Sequence, residues 1–244
     1  MRSVYFKKRI REPKVMARIE LSAFDTLAKT NYKRWFIPFV DDVLIRAGIR
    51  KGVVADIGSG PGLLVSEMAK RSRNFRVVGI DRSPYSIELG RKNCKSLHNV
   101  TFIRGRAEKL PLKTNTVDIV LSKDSLHELG NPRRVIREML RIVKPGGIVY
   151  IQDLRRDIPF KILSQAIPPK TTIQKLQFYS TRAAYTKPEI RSLMKKLSVR
   201  SYTLITRQVT PLVWRRYKSL VSRRTELENA LHTRFILVIR KTKS

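Results

Sequence analysis

The sequence predicts a doubly wound α/β fold, built on a mostly parallel sheet of seven strands with helices on both faces. From residue 53 onward, short apolar runs alternate with amphipathic stretches. Continuous runs rich in β-branched residues are typical of parallel strands that are buried on both faces. Regular alternation of strand and helix favours parallel strands joined by right-handed crossovers.

Seven apolar runs have the length and composition of strands. They lie at 53–57, 76–80, 100–103, 117–121, 148–152, 199–206 and 234–240. The segment Lys144-Pro145-Gly146-Gly147 predicts a turn that leads into the fifth of these strands.

Apolar residues at helical spacing predict the helices. They are expected at 20–48, 62–72, 84–96, 132–143 and 188–197. Gly48 is expected to end the first, and Thr186 or Lys187 to cap the last, with Pro188 in its first turn.

The chain is strongly basic. It carries 52 Lys and Arg against 19 Asp and Glu, a formal net charge of +33, and residues 151–244 alone carry 21 basic and 5 acidic side chains. Such an excess predicts attraction to polyanions: RNA, DNA, anionic lipid surfaces or small acidic substrates. A generally basic surface without a specific partner is the alternative, and the composition leaves both open.

Cysteine and histidine are scarce. Cys94 is the only cysteine, which excludes an intramolecular disulfide and a cysteine-based metal cluster. The three histidines, His98, His127 and His232, have unrelated spacings, so we expect no metal site. No apolar run approaches the roughly 20 residues of a membrane span, and the basic N-terminus has no apolar stretch after it. We therefore expect a cytoplasmic protein.

The strongest local motif is the glycine-rich segment Asp56-Ile57-Gly58-Ser59-Gly60-Pro61-Gly62, which follows the first predicted strand. Glycines there permit a tight turn and close approach of the backbone to a ligand. The third glycine comes one residue earlier than in a dinucleotide fingerprint. Asp56 would oppose a pyrophosphate but favour a ligand with an ammonium group, and S-adenosylmethionine has an ammonium group and no phosphate.

A second carboxylate, Asp81, ends the second predicted strand. An acid at this position, some 25 residues beyond Asp56, suits hydrogen bonding to ribose hydroxyls. The alternative is a cap of the following helix, which Ser83 could provide instead.

Together these motifs resemble class I S-adenosylmethionine-dependent methyltransferases, close to the type-11 group. The resemblance covers residues 53–153, in the order and spacing of the family, and is carried by VVADIGSGPG, VVGIDRSP, FIRGRAEKLPL, VDIVLSKDSLHEL and REMLRIVKPGGIVYIQD. Residues 24–35, FDTLAKTNYKRW, also resemble the N-terminal cofactor cover of the family.

The resemblance implies a Rossmann-like fold, S-adenosyl-L-methionine as cofactor, and a set of cofactor-binding residues. It also implies three parts: a basic N-terminal arm with cofactor-covering helices (1–52), the cofactor-binding core (53–153), and a lid segment with the C-terminal half of the same sheet (154–244). Arg82 and Arg106 depart from the apolar and acidic residues that are common at these two positions. The implied cofactor-binding residues are Asp56, Gly58, Ser59, Gly60, Gly62, Asp81, Arg82, Arg106, Ala107, Glu108 and Ser122.

Methyl transfer needs a base only if the acceptor must lose a proton. Candidates near the carboxyl ends of the strands are His127, Asp153, Glu128 and Tyr185. His127 is preferred because its ordinary pKa lies near neutrality, and Asp153 is the second catalytic candidate. The alternative is that His127 and Glu128 only pack or cap the loop before the helix at 132–143.

Three hypotheses for the acceptor remain at this stage. The first is a small molecule, held in an apolar pocket under a lid to which Phe160, Ile162, Leu163, Phe178, Tyr179 and Tyr185 contribute. The second is RNA, held by basic surfaces in which aromatic and basic residues interleave; they lie at 5–11 and 207–224. The third is a scaffold that binds the cofactor without catalysis. The motifs favour the first.

Overall fold

The computed structural model describes residues 8–12, 18–157, 171–206 and 233–242, and it confirms the predicted fold. One seven-stranded sheet has the strand order β3-β2-β1-β4-β5-β7-β6. Within it β7 runs antiparallel to both of its neighbours, β5 and β6, and the other strand pairs are parallel. The strands are β1 (Gly52–Ile57), β2 (Phe75–Asp81), β3 (Val100–Arg104), β4 (Val117–Lys123), β5 (Val143–Leu154), β6 (Tyr202–Ile205) and β7 (Arg234–Arg240).

Helices cover both faces of the sheet. Those on one face, α2 to α4, share a core with one set of strand side chains, and α5 and α7 share a second core with the alternate set. The described helices are α1 (Arg18–Thr30), α2 (Tyr32–Ala47), α3 (Leu63–Arg71), α4 (Pro84–Asn93), α5 (Pro132–Ile142), α6 (Thr172–Ala183) and α7 (Lys187–Lys196). None of the helices in the described ranges combines the length and the apolar character that crossing a membrane requires.

The predicted helix ends at Gly48 and Thr186 are confirmed. Gly48 ends α2 in the left-handed conformation, with φ of 68°, where a glycine is least strained. Thr186 and Glu189 form a reciprocal capping box at the start of α7. The helix predicted at 20–48 is instead two helices, because the chain breaks at Asn31 between α1 and α2.

The predicted turn at Lys144-Pro145-Gly146-Gly147 is a bulge within β5. Val117 pairs with Val143 and Ile119 with Ile148, so β5 has more residues than β4 between the same two pairs. Gly146 has a φ of 83°, which a residue with a side chain rarely adopts. The extra residues therefore loop out while both ends remain in the sheet.

The ring of Phe102 on β3 packs against three glycines from separate elements. A Cβ atom placed on Gly62, Gly79 or Gly90 would lie 2.6 Å from this ring. These three positions belong to the start of α3, to β2 and to α4. The absence of three side chains thus allows α3 and α4 to approach the sheet where the strands end.

Replacing Gly90 tests this close approach. We expect Gly90→Ala to lower the free energy of unfolding by about 1–3 kcal/mol, because the new methyl group would displace the Phe102 ring. Alanine otherwise favours a helix over glycine by about 1 kcal/mol, so a stabilised variant would contradict the packing. Urea unfolding measures the change, and Gly90→Ala combined with Phe102→Leu should recover part of the loss.

Candidate functional site

A cavity of about 650 Å³ opens at the carboxyl edge of the parallel strands. Its floor is made by the segments after β1, β2, β3 and β4, and its walls by side chains of α1, α2 and α6. This is the edge at which open α/β sheets bind ligands. The volume lies in the range of small-molecule pockets.

The glycine-rich segment forms the turn between β1 and α3. Gly58, Gly60 and Gly62 all have positive φ, at 77°, 50° and 76°. The turn is held on β2, because the amides of Gly58 and Ser59 donate to the carbonyl oxygen of Ile80. Gly58, Ser59 and Gly60 line the cavity, whereas Gly62 lies outside the lining and starts α3 against Phe102. A Cβ atom on Gly60 would meet nothing within 4 Å, so a ligand has room beside this backbone.

Asp56 is a buried carboxylate on the cavity floor. It is 2% exposed, and its Oδ1 atom has no hydrogen-bond partner within the described part of the chain. Burial, assisted by the nearby Asp81 carboxylate, raises the pKa of Asp56 to about 7, and Lys123 only partly opposes the rise. An unpaired buried carboxylate is costly, so this position suits a ligand that brings a positive charge.

Asp81 lies beside the glycine turn. Its Oδ2 atom accepts a hydrogen bond from the Gly60 amide (3.0 Å), and its Oδ1 atom accepts one from the Ser83 amide (2.9 Å). Ser83 provides the cap of α4 through its own hydroxyl. Asp81 lines the cavity, so its carboxylate both supports the turn and borders the ligand space.

The segments after β2 and β3 border the cavity. Arg82, Arg106, Ala107 and Glu108 all contribute to the lining. The Arg106 side chain is 75% exposed and lies 3.7 Å from the Glu108 carboxylate. The Glu108 side chain is only 19% exposed, so Arg106 is the member of this pair that is open to solvent.

Ser122 does not line the cavity. It is completely buried in β4, and its hydroxyl donates to the carbonyl oxygen of Ile57 on β1 (3.0 Å). The predicted place of Ser122 on the methionine side of the pocket is therefore not supported by the cavity lining and stays a prediction. The next three residues, Lys123, Asp124 and Ser125, line the cavity instead.

His127 and Asp153 form a buried pair. The Asp153 carboxylate accepts a hydrogen bond from the His127 amide (2.7 Å) and contacts His127 Nδ1 at 2.6 Å. Because a carboxylate accepts, this contact places a proton on Nδ1 and turns Nε2 away from Asp153. His127 lines the cavity, whereas Asp153 lies behind it with no exposed surface.

The Nε2 atom of His127 faces two further carboxylates. Glu12 Oε1 lies 3.6 Å away and Glu128 Oε1 3.9 Å away. Burial alone would lower the pKa of His127, but Asp153, with smaller contributions from Glu128 and Glu12, outweighs it and raises that pKa to about 9. Burial raises the pKa of Glu128 to about 7, which His127 opposes and Glu12 reinforces.

Sequence reasoning missed the participation of Glu12. Glu12 is the only acid among the first 19 residues. This exception is the one sign of its role in the sequence, and it is weak because the arm is interpreted from its basic charge. The arm is held in place because the Arg9 guanidinium donates to the carbonyl oxygens of Ala183 and His127. Arg9 also lies over the ring of Tyr185, 4.2 Å from its centre. Tyr185 itself does not contribute to the cavity lining.

Sequence reasoning also missed a group of charged side chains after β4. Asp124 accepts hydrogen bonds from Lys123 and from Arg234 at the start of β7 (2.6 Å). These two cations outweigh burial and hold the pKa of Asp124 well below its usual range. Lys123 also lies 5.8 Å from the ring centre of Trp35. These contacts join α2, β4 and β7, which are distant in sequence.

The helical walls of the cavity match the predicted cover only in part. Phe24, Leu27, Arg34 and Trp35, from the segment predicted to cover the cofactor, line the cavity. The aromatic lid residues Phe178 and Tyr179 do not; they flank the guanidinium of Arg182, so their predicted place in the pocket is wrong. Phe160, Ile162 and Leu163 lie outside the described residues. The α6 residues in the lining are Ile173, Gln174, Leu176, Gln177, Ser180 and Thr181.

Comparison with solved structures agrees with this architecture. A putative S-adenosyl-L-methionine-dependent methyltransferase of Methanococcus maripaludis superposes with a TM-score of 0.71. The match covers 97% of this chain and 99% of that one, at 20% sequence identity. At this identity the match supports the fold alone.

Curated relatives match the core of the chain. The chloroplastic 2-methyl-6-phytyl-1,4-hydroquinone methyltransferase 2 of rice is 34% identical over 120 residues, which cover 48% of this chain and 34% of that protein. The ubiquinone/menaquinone biosynthesis C-methyltransferase of Idiomarina loihiensis is 30% identical over 117 residues, which cover 46% and 47% of the two chains. The matched part thus spans about a third to a half of these relatives.

A family described as a methyltransferase domain matches residues 50–207. This range contains the glycine-rich turn, the carboxylates of β1 and β2, and the His127 loop. The resemblance stated from the motifs is thereby confirmed, and the chain belongs to this methyltransferase-domain family, a class I S-adenosylmethionine-dependent methyltransferase family.

Proposed function

We propose that this chain transfers the methyl group of S-adenosylmethionine to a small-molecule acceptor. The observation that carries the proposal is Asp56, a buried carboxylate whose Oδ1 atom has no partner in the described part of the chain and which borders an open glycine turn. An ammonium group would neutralise it, and the open space beside Gly60 would admit the ligand. The cavity therefore suits the cofactor of the family.

The cofactor would be held by groups from successive strand ends. Asp56 would bind the ammonium group, and the amides of the turn, with Ser59, would border the methionine end. Asp81 would accept hydrogen bonds from the ribose hydroxyls. The remaining proposed contacts are Arg82, Arg106, Ala107 and Glu108, which border the adenine end of the proposed site. Gly62 would act only through the turn, by allowing α3 to start there.

When bound, S-adenosylmethionine supplies a methyl group on a positively charged sulfur, which is already electrophilic. The protein therefore has to bind and orient the cofactor and the acceptor and to exclude water. Side chains of α1, α2 and α6 would enclose the reacting groups, with Leu21, Phe24 and Trp35 contributing apolar surface.

We assign activation of the acceptor to His127 and Asp153. Asp153 fixes the ring through Nδ1 and the backbone amide. The atom left for the acceptor is Nε2, which is buried and has no hydrogen-bond partner among the described residues. In this proposal His127 is the catalytic residue and Asp153 is the positioning residue behind it.

A small molecule is favoured over RNA as the acceptor. The site is a cavity walled by helices, and the two curated relatives named above are named for quinone and hydroquinone methylation. Most of the basic and aromatic residues that motivate RNA binding, Trp214 and Tyr217 among them, lie outside the described residues, and Arg9 of the N-terminal cluster packs on the ring of Tyr185. RNA and other polyanions therefore remain outcomes of the test, and the cytoplasmic location and the three-part division of the chain remain predictions.

The first prediction concerns the charge of Asp56. We expect Asp56→Asn to weaken binding of S-adenosylmethionine about 10- to 100-fold at pH 7.5, the loss for a charged hydrogen bond. Because the pKa of Asp56 is raised to about 7, wild-type affinity should fall as the pH drops below 7 and this carboxylate takes up a proton. Isothermal titration calorimetry between pH 5.5 and 7.5 measures both effects.

Asp56→Asn is also the control for the pH dependence. Its weaker binding should vary little over the same range, since asparagine does not titrate. Equal affinity of the two proteins, or the same pH dependence in both, would contradict the assignment of Asp56 to the ammonium group.

The second prediction concerns the acceptor class. Incubation with methyl-labelled S-adenosylmethionine and host extract, separated into metabolite, RNA and protein fractions, should label the metabolite fraction. Label in RNA, with binding that weakens steeply as salt rises, would overturn the small-molecule assignment. Absence of label, together with absence of cofactor binding, would overturn the proposed function itself.

The third prediction concerns His127. On the acceptor so identified, we expect His127→Ala to lower kcat by about 10²- to 10⁴-fold, the usual contribution of acid–base groups. The dissociation constant for S-adenosylmethionine should remain close to that of the wild type. Asp153→Asn, which keeps the shape of the side chain, should lower kcat as well. An unchanged kcat in a folded His127→Ala variant would assign this residue to packing alone.

A further inference from the structure

Three carboxylates converge on one imidazole ring in a chain whose net charge is +33. Asp153 holds Nδ1 of His127, and Glu12 and Glu128 face Nε2 on the other side of the ring. We propose that Glu12, His127 and Glu128 form a binding site for a divalent transition-metal ion. Cysteine and histidine spacing does not predict this site, since its first ligand is more than 100 residues away from the other two.

The distances leave space for an ion. The Nε2 atom of His127 stands 3.6 Å from Glu12 Oε1 and 3.9 Å from Glu128 Oε1, and one atom from each residue lies within 4.8 Å of the others. These separations exceed a direct hydrogen bond of about 3 Å. Ligand atoms about 2.0–2.2 Å from a shared ion lie roughly 3–4 Å from one another, which small adjustments of the two glutamates would satisfy.

An unpartnered atom points into this space. Nε2 of His127 is buried without a hydrogen-bond partner in the described ranges, although the side chain is only 2% exposed. With one proton of the ring held on Nδ1 by Asp153, an ion would take the place of the second proton, on Nε2. An arrangement in which a carboxylate orients a metal-binding histidine through its other nitrogen is common in metal sites.

The side chain of Glu12, on the N-terminal arm, is held in its orientation by a hydrogen bond. Glu12 Oε1 accepts a hydrogen bond from the Ser180 hydroxyl on α6 (2.7 Å). The nearby guanidinium of Arg9 directs its hydrogen bonds to the carbonyl oxygens of Ala183 and His127. With the Nε2 proton of His127 replaced, two carboxylates and a neutral imidazole would surround the ion, and a dication would balance their charge.

The donor set defines the class of metal. One imidazole nitrogen and two carboxylate oxygens suit Zn²⁺, Mn²⁺ or Fe²⁺, whereas Mg²⁺ prefers oxygen ligands and retains its water. His127 and Glu128 both line the cavity, so the remaining coordination positions would open toward the acceptor. Only this last point rests on the proposed function: with an ion bound, His127 would serve as its ligand rather than as the base, and the ion would bind an acceptor oxygen and lower the pKa of its hydroxyl.

The test uses the full chain without an affinity tag, stripped with EDTA and then desalted. Titration calorimetry with ZnCl₂ and MnCl₂ should find one site per chain for at least one of these ions, and Co²⁺ should give visible absorption bands of a bound ion. Glu12→Gln and Glu128→Gln should each weaken that site by about tenfold or more, and Asp153→Asn by about 10- to 100-fold. Glu88→Gln, an exposed glutamate on α4, is the matched control and should bind as the wild type does.

Glu128→Gln keeps the result interpretable if other variants fold poorly, since Glu128, with 27% of its side chain exposed, is the most exposed of the three proposed ligands. Absence of binding in the wild type, or an affinity in Glu12→Gln and Glu128→Gln equal to that of the wild type, would overturn the metal site. S-adenosylmethionine binding by the metal-free protein is measured in parallel. If it persists when no metal binds, the metal site fails while the proposed function stands.

Discussion

Contact between the Phe102 ring and the backbone of three glycines determines how closely the helices approach the ends of the strands. Gly62, Gly79 and Gly90 each lie where a Cβ atom would enter the ring. The contact brings α3, α4 and β3 together around the end of β2, so the glycine turn is held against Ile80 rather than projecting into solvent. The cavity floor depends on this packing, because Asp56 and Asp81 lie on either side of the turn.

Around this floor lie buried polar atoms that no described residue satisfies. Burial without a partner is costly for polar atoms, yet Oδ1 of Asp56 and Nε2 of His127 are both in this condition on residues that line the cavity. The surrounding sheet is well packed, with most of β4 and residues 148–153 of β5 buried, and can tolerate the cost. Stability is thus supplied by the two apolar cores, and the unpaired groups are concentrated where ligands would satisfy them.

The N-terminal arm connects the cavity to parts of the chain that are distant in sequence. Arg9 donates hydrogen bonds to the carbonyl oxygens of Ala183 and His127, and Glu12 accepts one from Ser180 on α6. A segment notable in sequence only for its positive charge thereby contributes one of the carboxylates around His127. The basic charge of the arm and its structural contribution are separate properties, since Glu12 is the acidic exception within it.

The sequence by itself determined the parallel sheet, its strand order in the chain and the glycine turn with Asp56 and Asp81, because these features depend on residues close to one another along the chain. The tertiary structure alone decided which side chains reach the cavity: Ser122 turns into the sheet to bond Ile57, and Phe178 and Tyr179 turn toward Arg182. It also brought Glu12 to His127. Local patterns report burial and periodicity, whereas the direction of a side chain at a strand end and the meeting of distant segments depend on how the helices pack.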